Sequence, residues 1–242
     1  MKKTNLYVAH GGIGKCVLFS SLIDTFSKRD NDKISIACGF PDVFKFHPKI
    51  NSAPQWTGGD LRHDIAEYFN DIIFREPYVS QYAKRDRHIV TEWARCFGFE
   101  LETEGKDMQP DIVINPQWVG EADKIYKFFL YALPNEPIQI PPELQKRCLT
   151  AQTNAMVFAA LVKKAETFLA IDSSLHHFAA ARQCRKKGVV IWGTTTTPTM
   201  IGHNLHVNMQ SLSPTEIKVE TKDVIDNIQK VLTTKKKNKG KK

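Results

Sequence analysis

Ala170-Ile171-Asp172-Ser173-Ser174-Leu175-His176-His177-Phe178-Ala179-Ala180-Ala181 is the stretch whose reading decides the fold. The apolar run Thr167 to Ile171 predicts a buried strand ending at Asp172, and the spacing from Ser174 to Lys187 predicts an alanine-rich helix. Two hydroxyls then stand at a helix mouth, where unpaired backbone N–H groups gather. Ser173 is expected to cap that helix while Asp172 closes the turn. His177 follows Ser173 by four residues and shares its helical face one turn on. The small alanines permit close packing of helix on sheet. Open α/β sheets take ligands outside the carboxyl ends of their strands, which is where Asp172 and Ser173 fall.

Outward from this stretch the pattern repeats. Gly188 to Trp192 reads as another strand, and it runs into Gly193 and the polar loop Thr194-Thr195-Thr196-Thr197-Pro198. Two adjacent strand-end loops with this chemistry point to a phosphate or nucleotide-sugar pocket. No G-x-S-x-G surrounds Ser173, so a hydrolase nucleophile is not indicated. Ala151 to Lys164 is apolar at helical spacing, and Val224, Ile228, Val231 and Leu232 mark a last helix with Thr221 at its N-cap.

The opening follows the same grammar. Asn5 to His10 predicts a strand, Gly11-Gly12-Ile13-Gly14 a loop, and Phe19, Leu22, Ile23 and Phe26 a helix. Lys33 to Cys38 predicts a second buried strand, closed by Gly39-Phe40-Pro41-Asp42. A strand–helix–strand unit of this length implies a parallel pair with a right-handed crossover. From Asp86, the residues Ile89, Val90, Trp93 and Phe97 predict a helix stopped by Gly98 at C′. In the middle, Asp111 to Ile114 reads as a strand and Lys124 to Leu133 as a helix, before the proline-rich stretch Pro134 to Pro142. The class is α/β with parallel sheets, and two Rossmann-like halves are consistent with the pattern. The expected division is 1–107, 108–232 and a disordered basic tail, 233–242.

The glycine loop suits an anionic or polyhydroxyl ligand, because Gly11, Gly12 and Gly14 let another molecule approach the backbone beside a helix start. A tight turn with no ligand is the alternative. A nucleoside-triphosphate P-loop does not fit: Ala9 stands where its first glycine belongs, and Cys16 replaces the magnesium-binding hydroxyl. G-x-G-x-x-G fails as well. Asp30-Asn31-Asp32 reads as a solvated turn, not a metal site.

Length and composition bound the rest. The 242 residues are 42% hydrophobic and 25% charged, ordinary for a globular chain and unlike collagen-like or disordered ones. The longest apolar run, Ala155 to Val162, falls far short of the roughly 18 residues that suggest a membrane span, and no signal peptide opens the chain. A cytoplasmic protein is expected. Of the formal charge of +8, six units come from Lys235, Lys236, Lys237, Lys239, Lys241 and Lys242, which leaves +2 for the body (8 − 6). The body is therefore no nucleic-acid-coating surface, although the lysine tail has the charge to hold nucleic acid or an anionic membrane. Five scattered cysteines, odd in number and without C-x-x-C, fit reduced thiols and neither zinc nor disulfides.

The 172–195 segment resembles the donor-site signature of glycosyltransferase family 9, the heptosyltransferase-like group. Its D-[ST]-G-x-x-H-x-A-A-A stretch and following G-x-T loop match Asp172, Ser173, His177, Ala179, Ala180 and Ala181, then Gly193 and Thr195, with Ser174 in place of the glycine. His10 to Lys15 together with Gly39 to Phe44 is particularly similar to short phage-encoded members. The resemblance implies a GT-B-like architecture, two Rossmann-like lobes with parallel sheets of which the second is shortened, and a metal-independent transfer. A sugar would pass from a nucleotide-diphosphate sugar, ADP-heptose-like, on the C-terminal lobe to a saccharide or other hydroxyl acceptor on the N-terminal lobe. No cofactor is implied beyond the donor substrate.

On that reading Asp172 holds donor hydroxyls, and Ser173, Ser174, Gly193, Thr194 and Thr195 hold phosphate. His177 lines the nucleotide or diphosphate. The glycines 11, 12 and 14 face the acceptor. Lys15 stands where the family has its catalytic aspartate, and a charged lysine accepts no proton near neutrality. Lys15 is then expected to hold a phosphate, with base duty passing to Asp42, Asp60 or His10. The alternative is a catalytically degenerate fold of this kind that binds a nucleotide sugar without turning it over.

Overall fold

A computed structural model of the chain describes residues 3–58, 66–77, 86–125, 142–145, 153–193, 196–211, 213 and 217–239. Strand β1 (Leu6–Ala9) leads through the glycine loop into helix α1 (Ile13–Phe19). A 3-10 turn over Ser20–Leu22 carries the helical run on into α2 (Ile23–Asp30). Phe19, Leu22, Ile23 and Phe26 all point into the core, as their spacing predicts. Asn31 closes α2 in the left-handed conformation, φ 49°, and Asp30 accepts hydrogen bonds from the Tyr7 hydroxyl and Asn5 Nδ2. The Asp30-Asn31-Asp32 triplet is thus a helix-ending turn.

Strand β2 (Ile34–Cys38) runs parallel to β1, with Leu6 opposite Ser35 and Ala9 opposite Cys38. Strands β3 (Ile50–Ser52) and β4 (Ile72–Ile73) complete a parallel sheet of order β3-β2-β1-β4. Its central strands are buried throughout and read as apolar runs, the usual signature of a sheet covered on both faces. Helix α3 (Ile89–Cys96) follows, and Gly98 takes φ +80° at its C′ position. Then come α4 (Pro116–Ile125), the short α5 (Pro142–Gln145) and α6 (Ala155–Lys164).

The second sheet holds β5 (Leu169–Ile171), β6 (Val189–Trp192) and β7 (Val207–Gln210), parallel and in that order. Helix α7 (Ser174–Ala180) links β5 to β6, α8 (Pro198–Ile201) lies between β6 and β7, and α9 (Thr221–Lys239) ends the described chain. One contiguous apolar core runs from Tyr7 and Phe19 through Trp93, Phe158 and Phe178 to Trp192. The two sheets are therefore joined through a shared interior. Each fully buried tryptophan or phenylalanine there contributes about 1.5–3 kcal/mol by leaving water.

Several sequence expectations need correction. Asp111 to Ile114 forms no strand. Its backbone groups pair with side chains instead: Ser20 Oγ accepts from the Asp111 N–H at 2.9 Å, and Gln183 Oε1 accepts from the Ile114 N–H at 3.1 Å. Helix α7 stops at Ala180 rather than Lys187, because Ala181 turns extended and the Arg182 N–H is donated to the Pro110 carbonyl. Strand β5 is a sheet edge, not a buried strand, with Leu169 and Ile171 exposed. The fourth helix starts at Pro116, earlier than Lys124, and residues 126–133 lie outside the described ones. Helix α9 continues through Thr233 to Lys239, where a disordered tail was expected. Lysine is a good helix former, and no glycine interrupts the run before Gly240.

Candidate functional site

Asp172 follows β5 directly and is the centre of the site. Its Oδ2 accepts a hydrogen bond from the Thr196 hydroxyl, and its Oδ1 lies 3.4 Å from His176 Nε2. The Thr196 contact ties the loop after β5 to the loop after β6, so the two strand-end loops meet as the sequence implied. Ser173 is exposed and Ser174 half-buried on the same edge. Ser173 occupies the N-cap of α7, yet its side chain makes no capping bond. The expected cap is absent, which leaves the Ser173 hydroxyl facing solvent beside the first N–H groups of α7. Gly193 stands at the end of β6. Thr194 and Thr195 lie outside the described residues.

The glycine loop of the first sheet reaches this edge. A Cβ placed on Gly14 would come 3.6 Å from Ser174 Cα and 3.1 Å from His177 Cδ2, so α1 packs on α7 with no space for a larger residue. Gly11 holds φ +116°, a conformation open to glycine at little cost, and Gly12 has no atom within 4 Å of where its Cβ would stand. The loop is thus packed on one side and open on the other. His10 is exposed next to it, its ring 5.5 Å from that of Trp56 and 6.1 Å from that of Phe74. These rings form an aromatic margin beside the glycines.

Lys15 and Asp42 are already engaged. Lys15 Nζ lies 2.9 Å from Glu76 Oε2, whose side chain is only 6% exposed. Asp42 accepts from Asn154 Nδ2 at 2.8 Å and lines a separate cleft of about 350 Å³ with Lys45, Asn51 and Ser52. Of the three catalytic candidates, His10 alone is exposed. Asp60 lies outside the described residues.

His177 does not line that edge. It is 3% exposed and sits behind the edge, with Nδ1 3.1 Å from His203 Nε2. His88, His176 and His206 join it, so five of the chain's eight histidines are buried together around α7. Burial pushes His177 and His203 well below the ordinary imidazole range, and the neighbouring rings push the same way. Burial likewise lowers His88 and His206 to about 4. It lowers His176 too, although Asp172 opposes the shift. The cluster is neutral near pH 7. One ring nitrogen from each of His176, His177 and His203 lies within 4.8 Å of the others.

Thr196, His176, His203, His206 and Glu76 carry contacts that the motif reading left out. His203-Asn204-Leu205-His206 has a spacing that places two imidazoles within a turn of each other, and it was the available signal. Glu76 had none, because its partner is 61 positions away. Cys16, Cys38, Cys96 and Cys184 are free thiols, while Cys148 lies outside the described residues. Among the described residues, no helix is long and apolar enough to cross a membrane.

No protein-family model matches the chain, and no curated protein matches it by sequence. Solved structures do match by shape. A glycosyl transferase family 9 protein from Veillonella parvula superposes with TM-score 0.71 at 11% identity, over 96% of this chain and 98% of its own. The E. coli ADP-heptose lipopolysaccharide heptosyltransferase II gives 0.66 at 12% identity, over 96% and 99%. The E. coli heptosyltransferase WaaC, solved with ADP, gives 0.61 at 13% identity, over 94% and 99%. The fold is therefore that of the GT-B-like glycosyltransferase structures, and the likeness to family 9 spans nearly the whole chain.

Proposed function

We propose that the chain is a glycosyltransferase that moves a sugar from a nucleotide-diphosphate sugar, ADP-heptose-like, to a hydroxyl acceptor. The observation that carries this reading is the meeting of three loops on one edge. Asp172 and Thr196 join the ends of β5 and β6, and Gly14 brings the open glycine loop against Ser174. A carboxylate, free hydroxyls and unpaired backbone N–H groups there match a ligand with sugar hydroxyls at one end and phosphates at the other. The fold shared with the heptosyltransferases supports the same assignment, and one of those structures is described with ADP.

The roles follow from placement. Asp172 accepts hydrogen bonds from donor hydroxyls. Ser173, Ser174 and the loop from Gly193 donate to phosphate oxygens and stabilise the charge that develops on the leaving diphosphate. His10, exposed beside the glycine loop, takes the proton of the acceptor hydroxyl as its oxygen attacks the anomeric carbon in line with the departing phosphate. Attack opposite the leaving group inverts that carbon. The aromatic margin of Trp56 and Phe74 offers flat apolar faces to the C–H face of an acceptor sugar. No metal enters the chemical step. His177 supports the edge from behind, and Lys15, held by Glu76, supplies positive potential.

A panel of nucleotide-diphosphate sugars, assayed for donor hydrolysis and for transfer to saccharide acceptors, tests the proposal. Turnover that falls a hundredfold or so in His10→Gln, the usual scale for losing a general base, with donor binding intact, supports it. Donor binding without turnover under any acceptor would assign the chain instead as a nucleotide-sugar binding module. The engaged Lys15 at the family's base position is what favours that second reading.

A further inference from the structure

We propose that His176, His177 and His203 form a site for a zinc-class divalent transition metal, buried behind the Asp172 edge. The three imidazoles are buried, each presents a ring nitrogen, and those nitrogens lie within 4.8 Å of one another. His177 Nδ1 and His203 Nε2 are 3.1 Å apart. Two nitrogens at about 2.1 Å from a tetrahedral zinc stand roughly 3.4 Å apart, so this pair already has close to the required bite.

The surroundings of His176 supply an independent argument. Its Nε2–H faces the Asp172 carboxylate, while its Nδ1 is fully buried and has no hydrogen-bond partner among the described residues. A carboxylate on one nitrogen and an idle lone pair on the other is the arrangement of a metal-bound histidine, in which the carboxylate fixes the tautomer and strengthens the ligand. His206 shows a related pattern nearby: its Nε2–H is donated to the His176 carbonyl, and among the described residues its buried Nδ1 has no partner. A buried lone pair without a donor is costly, and a cation offsets that cost.

Coordination replaces the hydrogen bond between His177 and His203. The ring that donates in that bond moves its proton to its other nitrogen, so both stay neutral and no proton is lost. The rings are neutral near pH 7 already, so the metal competes with no bound proton. The Asp172 carboxylate beyond His176 balances part of the cation's charge. Because Asp172 also holds Thr196, the metal fixes the orientation of the candidate sugar-binding loops without touching their ligand. Nothing in this inference depends on glycosyl transfer.

The test is cobalt titration of the chelator-treated full-length protein, followed by zinc. One equivalent of Co2+ should give the visible bands of a tetrahedral nitrogen and oxygen site, with no thiolate charge-transfer band, and Zn2+ should displace it. Free Zn2+ a hundredfold above Kd should raise Tm by roughly 5–10 °C. His203→Gln should abolish the cobalt spectrum, and His10→Gln, at an exposed position, should keep it. Absence of visible bands in the wild-type chain, a thiolate band that moves the metal to the cysteines, or a folded His203→Gln variant that retains the spectrum would each overturn the proposal. The wild-type titration decides alone if His203→Gln does not fold.

Discussion

Gly14 on α1 packs against the Cδ2–Nε2 edge of the His177 imidazole on α7, so closely that an added methyl group would need the ring to give way. A Cβ there would approach His177 Cδ2 to 3.1 Å and Ser174 Cα to 3.6 Å. This contact brings the glycine loop of the first sheet to the strand ends of the second. Gly14→Ala forces the two helices apart by a few tenths of an ångström, against an imidazole held by His203. We expect a loss of about 1–3 kcal/mol, read as a lower midpoint in urea denaturation.

Gly11 and Gly12 separate conformational need from ligand need. Gly11→Ala should cost about 1–2 kcal/mol, because φ +116° is unfavourable for an L side chain and the new Cβ would stand 2.6 Å from Lys15 Cδ. Gly12 has an ordinary φ of −70° and open space around it. Gly12→Ala should therefore change stability by no more than about 0.5 kcal/mol while weakening ligand binding on the open face. Equal affinity in Gly12→Ala and the parent would remove that face from the site.

The Lys15–Glu76 pair predicts a rescue. Among the described residues, Glu76 Oε1 is buried without a partner and Lys15 is the cation paired with the carboxylate. Lys15→Met should cost about 2–4 kcal/mol by stranding that charge, and adding Glu76→Gln should recover most of the loss. Chemical denaturation of the two single variants and the double variant measures the coupling. Simple additivity would show that the pair is not coupled.

Acid should destabilise the metal-free protein in a defined window. His88 and His206 titrate near 4 in the folded chain and near 6.5 when unfolded, because burial disfavours the imidazolium. Above about pH 6.5 both states are neutral, and this contribution to stability is complete. Between about 6.5 and 4 the unfolded chain binds more protons, so stability falls as pH falls and levels off below that range. Urea midpoints at about pH 7.5 and about pH 5 should differ, and replacing either histidine by Gln should shrink the difference.

The sequence showed the architecture best where the pattern was longest. The strand–glycine–helix opening and the strand that follows it need only local periodicity, and their residues are where that periodicity places them. The Asp172 turn was equally legible, because a strand end and a helix start force a polar junction. The side chains were harder to read. Ser173 matched a cap by position, but its hydroxyl is turned to solvent. His177 shares a helical face with Ser173, but that face packs on Gly14 and His203, which no local pattern reveals. Asp111 to Ile114 read as a strand because its composition suits one, yet its hydrogen bonds go to Ser20 and Gln183, distant in sequence. Long-range partners decided each of these differences.

The most direct measurement is calorimetric titration of the full chain with nucleotide-diphosphate sugars, set beside Asp172→Asn. Saturable one-to-one binding of at least one such donor is expected, weakened roughly tenfold or more in Asp172→Asn with the fold retained by circular dichroism. No binding of any nucleotide-diphosphate sugar, or an affinity that Asp172→Asn leaves unchanged, would contradict it.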